Sequence, residues 1–172
     1  LTVGNQCRFR PQNLYIKGLC EQGLLGDIYY AKALDLRRRG RPSWGQYMSK
    51  AANGGGILMD GAPHPLDAAM WFMDNFKPIS VTGRVMSPMG YETEGNPWGV
   101  WDTENCDVED TGFALITLEG GAMISLEAAW TINLLEDIGG ENVNVLCGTK
   151  GGVDMQGKCH VRVNNVYGGR MA

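Results

Sequence analysis

Between Val108 and Asn133 the chain reads VEDTGFALITLEGGAMISLEAAWTIN, two alternating runs joined by Glu-Gly-Gly at 119 to 121. Period-2 alternation on both sides of a glycine turn is the signature of a β-hairpin. The first run alternates around Phe113, Leu115 and Thr117. The second carries Ile124, Leu126 and Ala128 on the parity of Trp130. Three further short strands are predicted beyond Glu141, with turns at Gly151-Gly152 and Gly157-Lys158. A hairpin series of this kind must pair antiparallel, and its apolar face then needs a cover. The cover is present upstream. PQNLYIKGLCEQG has helical spacing, with Leu14, Ile16, Leu19 and Cys20 on one broad face, Pro11 in the first turn and Gly23 at the C-cap. A second helical run ends near Phe72 or Met73. Strands are predicted within GDIYYAKALDLRRRG and after Pro78, and residues 90–107 form a long excursion. Helix, strand, helix and then mostly antiparallel strands define an α+β fold: a large, mostly antiparallel β-sheet with helices packed on one face.

A length of 172 residues suits one domain. The net charge of −4 and a pI near 5.1 argue against nucleic-acid partners, and no apolar run is long enough to cross a membrane. The five cysteines are dispersed and contain no C-x-x-C pair, as in a reduced, cytoplasmic protein rather than a disulfide or zinc scaffold. No signal peptide is visible, and Leu-Thr-Val-Gly-Asn-Gln reads as a strand already in progress, so the chain is expected to be a piece of a longer one.

Chemistry concentrates in GGGILMDGAPHPLDAAMW, residues 54–71. On a helix, positions i, i+4 and i+7 lie within roughly 60° of one another, so Asp60, His64 and Asp67 would share one polar stripe on an otherwise apolar helix. Pro63 and Pro65 bias Ala62 and His64 away from the α region, which predicts an irregular turn near residues 60–65. Three readings follow from the residues. A histidine beside carboxylates is a general acid/base pair. One His and two Asp form a poor transition-metal set, so no metal site is expected. The third is structural, with Asp60 capping a helix start and the histidine satisfied by backbone.

The series Gly54-Gly55-Gly56, Asp60-Gly61, His64 and Asp67 resembles the C-terminal-domain motif of the glucose-fructose oxidoreductase and inositol dehydrogenase family. Other landmarks follow in the family's order. Arg8-Phe9 resembles the close of the last strand of its nucleotide-binding domain, and Gly26-Asp27-Ile28 the entry into its first sheet strand. Arg37-Arg38-Arg39-Gly40 with Trp44, Val108-Glu109-Asp110 and Glu127-Ala128-Ala129-Trp130 complete the set. The resemblance implies that residues 1–172 are the substrate-binding and oligomerisation domain, with residues 1–10 ending an otherwise absent Rossmann domain that binds NAD or NADP. It implies that the histidine matching His64 takes a hydroxyl proton and that Asp60 positions substrate and supports it. It also implies that Arg8 contacts substrate and Asp67 anchors the helix or supports the histidine. The implied reaction is hydride transfer between the nicotinamide and a sugar, cyclitol or polyol hydroxyl. The alternatives within the same resemblance are an NAD-dependent glycoside hydrolase and a non-catalytic assembly or sensor protein. No G-x-G-x-x-G after a strand and no Glu-Lys-Pro is present, so this chain alone is expected to be inactive.

Arg39, Trp44, Trp130 and Asn133 are further candidates for substrate contact. Parity puts Arg37 and Arg39 on one face, an aromatic in the Trp44 loop could lid a pocket, and Trp130 and Asn133 follow a strand. The bland readings are a solvated arginine run, core packing for Trp130 and a solvated acidic loop from Asp102 to Asp110. Mixed parity in strands 27–39 and 121–133 fits a sheet covered on both sides, which predicts a homodimer or homotetramer assembled through the sheet.

Overall fold

The computed structural model describes residues 4–135 and 138–155, with the strand segments Arg162–Asn164, Val166–Tyr167 and Arg170–Met171. Leu1–Val3, Gly157-Lys158 and His160 lie outside the described residues. Seven strands form one sheet: β1 (Ile28–Leu36), β2 (Pro78–Met86), β3 (Thr111–Leu118), β4 (Met123–Ala129), β5 (Ile138–Gly148), β6 (Gly152–Asp154) and β7 (Arg162–Asn164). Their order is β2-β3-β4-β1-β5-β6-β7, and only the β1–β4 pair is parallel. The predicted α+β sheet is therefore the observed one. The hairpin signal at 119–121 joins β3 to β4, and β1 inserts beside β4 from earlier in the chain.

The helices are α1 (Pro11–Glu21), α2 (Lys50–Asn53), α3 (Ile57–Asp60) and α4 (Pro63–Phe72). α4 packs on β1 and β5, α3 on β3 and β4, and α1 on α4. One row of the sheet shows why this face is covered. Val81, Ile116, Ile124, Ala31, Leu146 and Val153 are cross-strand partners in sequence. All except the edge residue Val81 are buried. The middle residue is an alanine, and α4 faces the core with Ala68 and Ala69, so helix and sheet approach closely. The opposite face carries the row Thr82, Leu115, Ser125, Lys32 and Val145. Among the described residues nothing covers that face, and Leu115 is 44% exposed.

Several expectations are corrected. Ile116 and Leu118, not Phe113 and Leu115, turn inward on β3, because β4 presents Ile124 and Leu126 to the helices and its register sets the facing parity. Gln6–Phe9, where Arg8-Phe9 resembles a strand end, is a 3-10 turn leading into α1. Leu14 is exposed, while Ile16 and Leu19 carry the buried face of α1. Ala62 stays helical (φ −58°, ψ −33°) despite preceding Pro63, because its side chain is locked in the core at 1% exposure. The predicted irregularity instead takes the form of a break between α3 and α4 at Gly61-Ala62. Pro63 then opens α4, where a missing N–H costs nothing.

Candidate active site

The break between α3 and α4 carries Asp60 and His64. Gly61 is required there by close approach: a Cβ on it would sit 2.2 Å from Asp35 Oδ2 and 3.1 Å from Arg37 Nη2. Asp35 is completely buried and accepts two hydrogen bonds from Arg37, Nε at 3.0 Å and Nη2 at 2.7 Å. A buried carboxylate with a bidentate guanidinium is a compensated charge. This pair forms one wall of the break, and residue chemistry alone had not singled out Asp35.

Asp60 is not a helix cap. It ends α3, and its Oδ2 accepts a 2.8 Å hydrogen bond from Trp130 Nε1. Trp130 has no exposed surface, so its indole acts through Asp60 and offers no face to solvent. Capping of α3 falls to Glu109, whose carbonyl accepts from Ile57 N and whose carboxylate accepts from Leu58 N. A Cβ on Gly56 would lie 1.8 Å from that carbonyl. The glycine run is thus spent on docking Glu109, and it does not fit a dinucleotide phosphate. The acidic stretch is accordingly not all solvated: Asp110 is fully buried, and its carboxylate accepts from Met89 N, Ser87 Oγ and Thr111 Oγ1.

The expected stripe of Asp60, His64 and Asp67 does not close on itself. The Nδ1 of His64 is buried without a hydrogen-bond partner in a half-buried ring. Asp67 turns the other way, to a bidentate ion pair with Arg8 (2.5 and 2.7 Å). The Arg8 guanidinium also lies over Trp71 and Phe76, 5.8 and 5.4 Å from the ring centroids. Its pKa is raised by the hydrogen bonds and charge of Asp67, with burial opposing. Arg8 and Asp67 together tie the 3-10 turn to α4.

The arginine run divides by partner. Arg37 serves Asp35, while Arg39 donates from Nη1 and Nη2 to Asn133 Oδ1, both at 3.2 Å. Arg39 and Asn133, candidates from distant sequence positions, therefore meet. Along with Arg38, Glu92 and Glu94 they line a cavity of about 860 Å³. Trp44 is 53% exposed and stacks edge-on against Trp98, with centroids 5.2 Å apart. Trp98 in turn lies 5.9 Å from the Arg37 guanidinium. An aromatic wall thus runs from the Trp44 loop through Arg37 to Gly61. Trp98 was not a sequence candidate, because it sits in an irregular loop without any periodic signal.

The sheet-and-helix domain thus carries a carboxylate and an imidazole at a single helix break. The GFO/IDH/MocA C-terminal domain profile matches residues 13–154, and the chain belongs to that family of oxidoreductases. A D-glucoside 3-dehydrogenase of Escherichia coli (strain K12) is 33% identical over 149 residues, covering 86% of this chain and 42% of that protein. An NAD-binding oxidoreductase from Klebsiella pneumoniae superposes with a TM-score of 0.73 at 20% identity, covering 95% of this chain and 42% of that one. A levoglucosan dehydrogenase solved with NADH and L-sorbose superposes with a TM-score of 0.71 at 20% identity, over 98% of this chain and 44% of that one. The chain spans less than half the length of these relatives. Among the described residues no helix is long and apolar enough to cross a membrane.

Proposed function

We propose that this chain is the substrate-binding domain of a cytoplasmic NAD(P)-dependent dehydrogenase acting on a secondary hydroxyl of a sugar, glucoside or related polyol. A nucleotide-binding domain outside residues 1–172 holds the dinucleotide. The observation that carries the reading is the helix break, where Asp60 is oriented by Trp130 and the half-buried His64 ring stands with its Nδ1 unpartnered. His64 Nε2 takes the hydroxyl proton, and Asp60, held on its Oδ2 by the indole, keeps its other oxygen to receive a substrate hydroxyl. A bound nicotinamide would supply the hydride acceptor or donor for the carbinol carbon. Arg39 and Asn133 present an amide and a guanidinium at the cavity wall, suited to neighbouring hydroxyls, and Trp44 supplies an exposed ring that can stack on a sugar face.

Full-length protein incubated with NAD or NADP and a panel of glucosides, free sugars and cyclitols should form reduced nicotinamide with a subset of them. His64→Ala should abolish that signal. Release of free sugar from an aryl glycoside without net reduction would replace the dehydrogenase with the hydrolase reading. Activity retained in His64→Ala would remove histidine from the chemistry.

A further inference from the structure

Arg41 is a fully buried cation that the reaction as described does not use. Its guanidinium carbon lies 4.9 Å from the centroid of Trp101 and 5.3 Å from that of Trp130, so the cation sits between two indoles. Nη2 donates to Cys106 Sγ at 3.0 Å, and Nη1 stands 3.8 Å from Asp110 Oδ2. Nε and Nη1 have no hydrogen-bond partner. Asp110 already accepts from three other donors, so it does not need Arg41 for satisfaction. An apolar side chain would fill the same space without stranding two donors. Retaining the charge costs stability, and burial correspondingly lowers the pKa of the group, against the opposing charges of Cys106, Asp110 and Glu109. What the cation supplies in return is orientation. A desolvated guanidinium over an indole face is attracted to the ring and holds it by its plane. The ring held is the one whose edge donates to Asp60.

We infer that Arg41 is a positioning residue for the site: stacked on the Trp101 and Trp130 rings, it holds the Trp130 indole so that Nε1 points at Asp60. The same residue links the site to the long excursion after β2. Arg41 N donates to Asn96 Oδ1 (3.1 Å), and Asn96 Nδ2 donates back to Arg41 O (3.0 Å). The Trp101 indole donates to Gly90 O at 3.1 Å and closes that loop on itself. The loop of residues 90–107 therefore reaches the carboxylate of Asp60 through one guanidinium. The catalytic consequence rests on the proposed function, but the orientation of the indole does not.

Two readouts separate these levels. In the nitrogen-15 spectrum of the protein, the Trp130 indole signal is identified by its loss in Trp130→Phe. Arg41→Met should shift that signal toward that of a free indole and speed its hydrogen exchange by about tenfold, leaving the Trp71 indole unmoved. Arg41→Lys, which keeps a cation between the rings, should restore most of the protection. In the dehydrogenase assay on full-length protein, Arg41→Met should lower kcat by about tenfold with little change in KM, and adding it to Trp130→Phe should cost nothing more. A folded Arg41→Met with an unchanged Trp130 indole signal would overturn the inference, as would full additivity with Trp130→Phe. If Arg41→Met fails to fold, an Arg41→Lys protein with an indole as unprotected as in denatured chain also overturns it. Absence of dehydrogenase activity in the parent protein would count against the proposed function and leave the spectroscopic result to decide the positioning role.

Discussion

Replacing Gly56 with alanine tests how the glycine run is used. The new methyl carbon would lie 1.8 Å from the carbonyl oxygen of Glu109 and 3.2 Å from its side-chain Cδ, so the segment before α3 must retreat by more than an ångström. Retreat breaks the bonds from Ile57 N to Glu109 O (3.3 Å) and from Leu58 N to the Glu109 carboxylate (3.1 Å). Each lost bond costs about 1 kcal/mol, and forcing a methyl into a packed site costs about 1–3 kcal/mol more. Alanine's smaller loss of backbone entropy returns at most about 1 kcal/mol, so a net destabilisation of about 2–4 kcal/mol remains. In urea, with a slope of about 2 kcal/mol/M, the midpoint should fall by roughly 1–2 M at constant slope, followed by tryptophan fluorescence. Gly55→Ala is the matched control: its Cβ meets the Met59 side chain at 2.9 Å and the Glu109 carboxylate oxygens at an ordinary contact distance of 3.6 Å, with no backbone in the way, so the midpoint should move far less. Equal midpoints for Gly56→Ala and parent would refute the docking argument. Loss of dinucleotide affinity in Gly55→Ala, with stability intact, would return the run to phosphate binding.

Asp67→Ala strands the Arg8 guanidinium at the α4 junction and should cost about 2 kcal/mol in the same denaturation experiment, whereas turnover per folded molecule should fall far less than in His64→Ala. Burial pushes the Cys20 thiol up, with Lys17 opposing, so iodoacetamide at neutral pH should label Cys20 much more slowly in folded protein than in urea; equal rates would contradict that environment. Trp130→Phe keeps most of the ring but removes the donor to Asp60, and it should lower kcat more than it lowers stability, checked by pairing steady-state kinetics with thermal unfolding. Association through the uncovered sheet face should give a dimer or tetramer by sedimentation at micromolar concentration, and Leu115→Lys should weaken it; a monomeric full-length protein would remove the assembly from the reading.

The strands and their turns were legible because alternation and glycine turns are local. The β3–β4 hairpin is written within 26 consecutive residues, Val108 to Asn133, and nothing distant is needed to read it. Parity on β3 was not legible, because Phe113 and Ile116 are both apolar and only the register with β4 chooses between them. The helix break was half legible. Two prolines announced it, but its position at Gly61-Ala62 was decided by Asp35 and Arg37 pressing on Gly61 from β1.

The candidate site divides in the same way. The sequence by itself determined the sheet-and-helix layering, the family, and the segment holding Asp60 and His64, since each depends on residue type at fixed short spacing. Tertiary structure alone decided the partners: Trp130 for Asp60, Arg8 for Asp67, Asn133 for Arg39, and two indoles for Arg41. Those pairs are all separated by 59 to 94 residues, the Arg41 stack included. A buried charge or indole can be satisfied by many distant groups, and only the packed chain selects one.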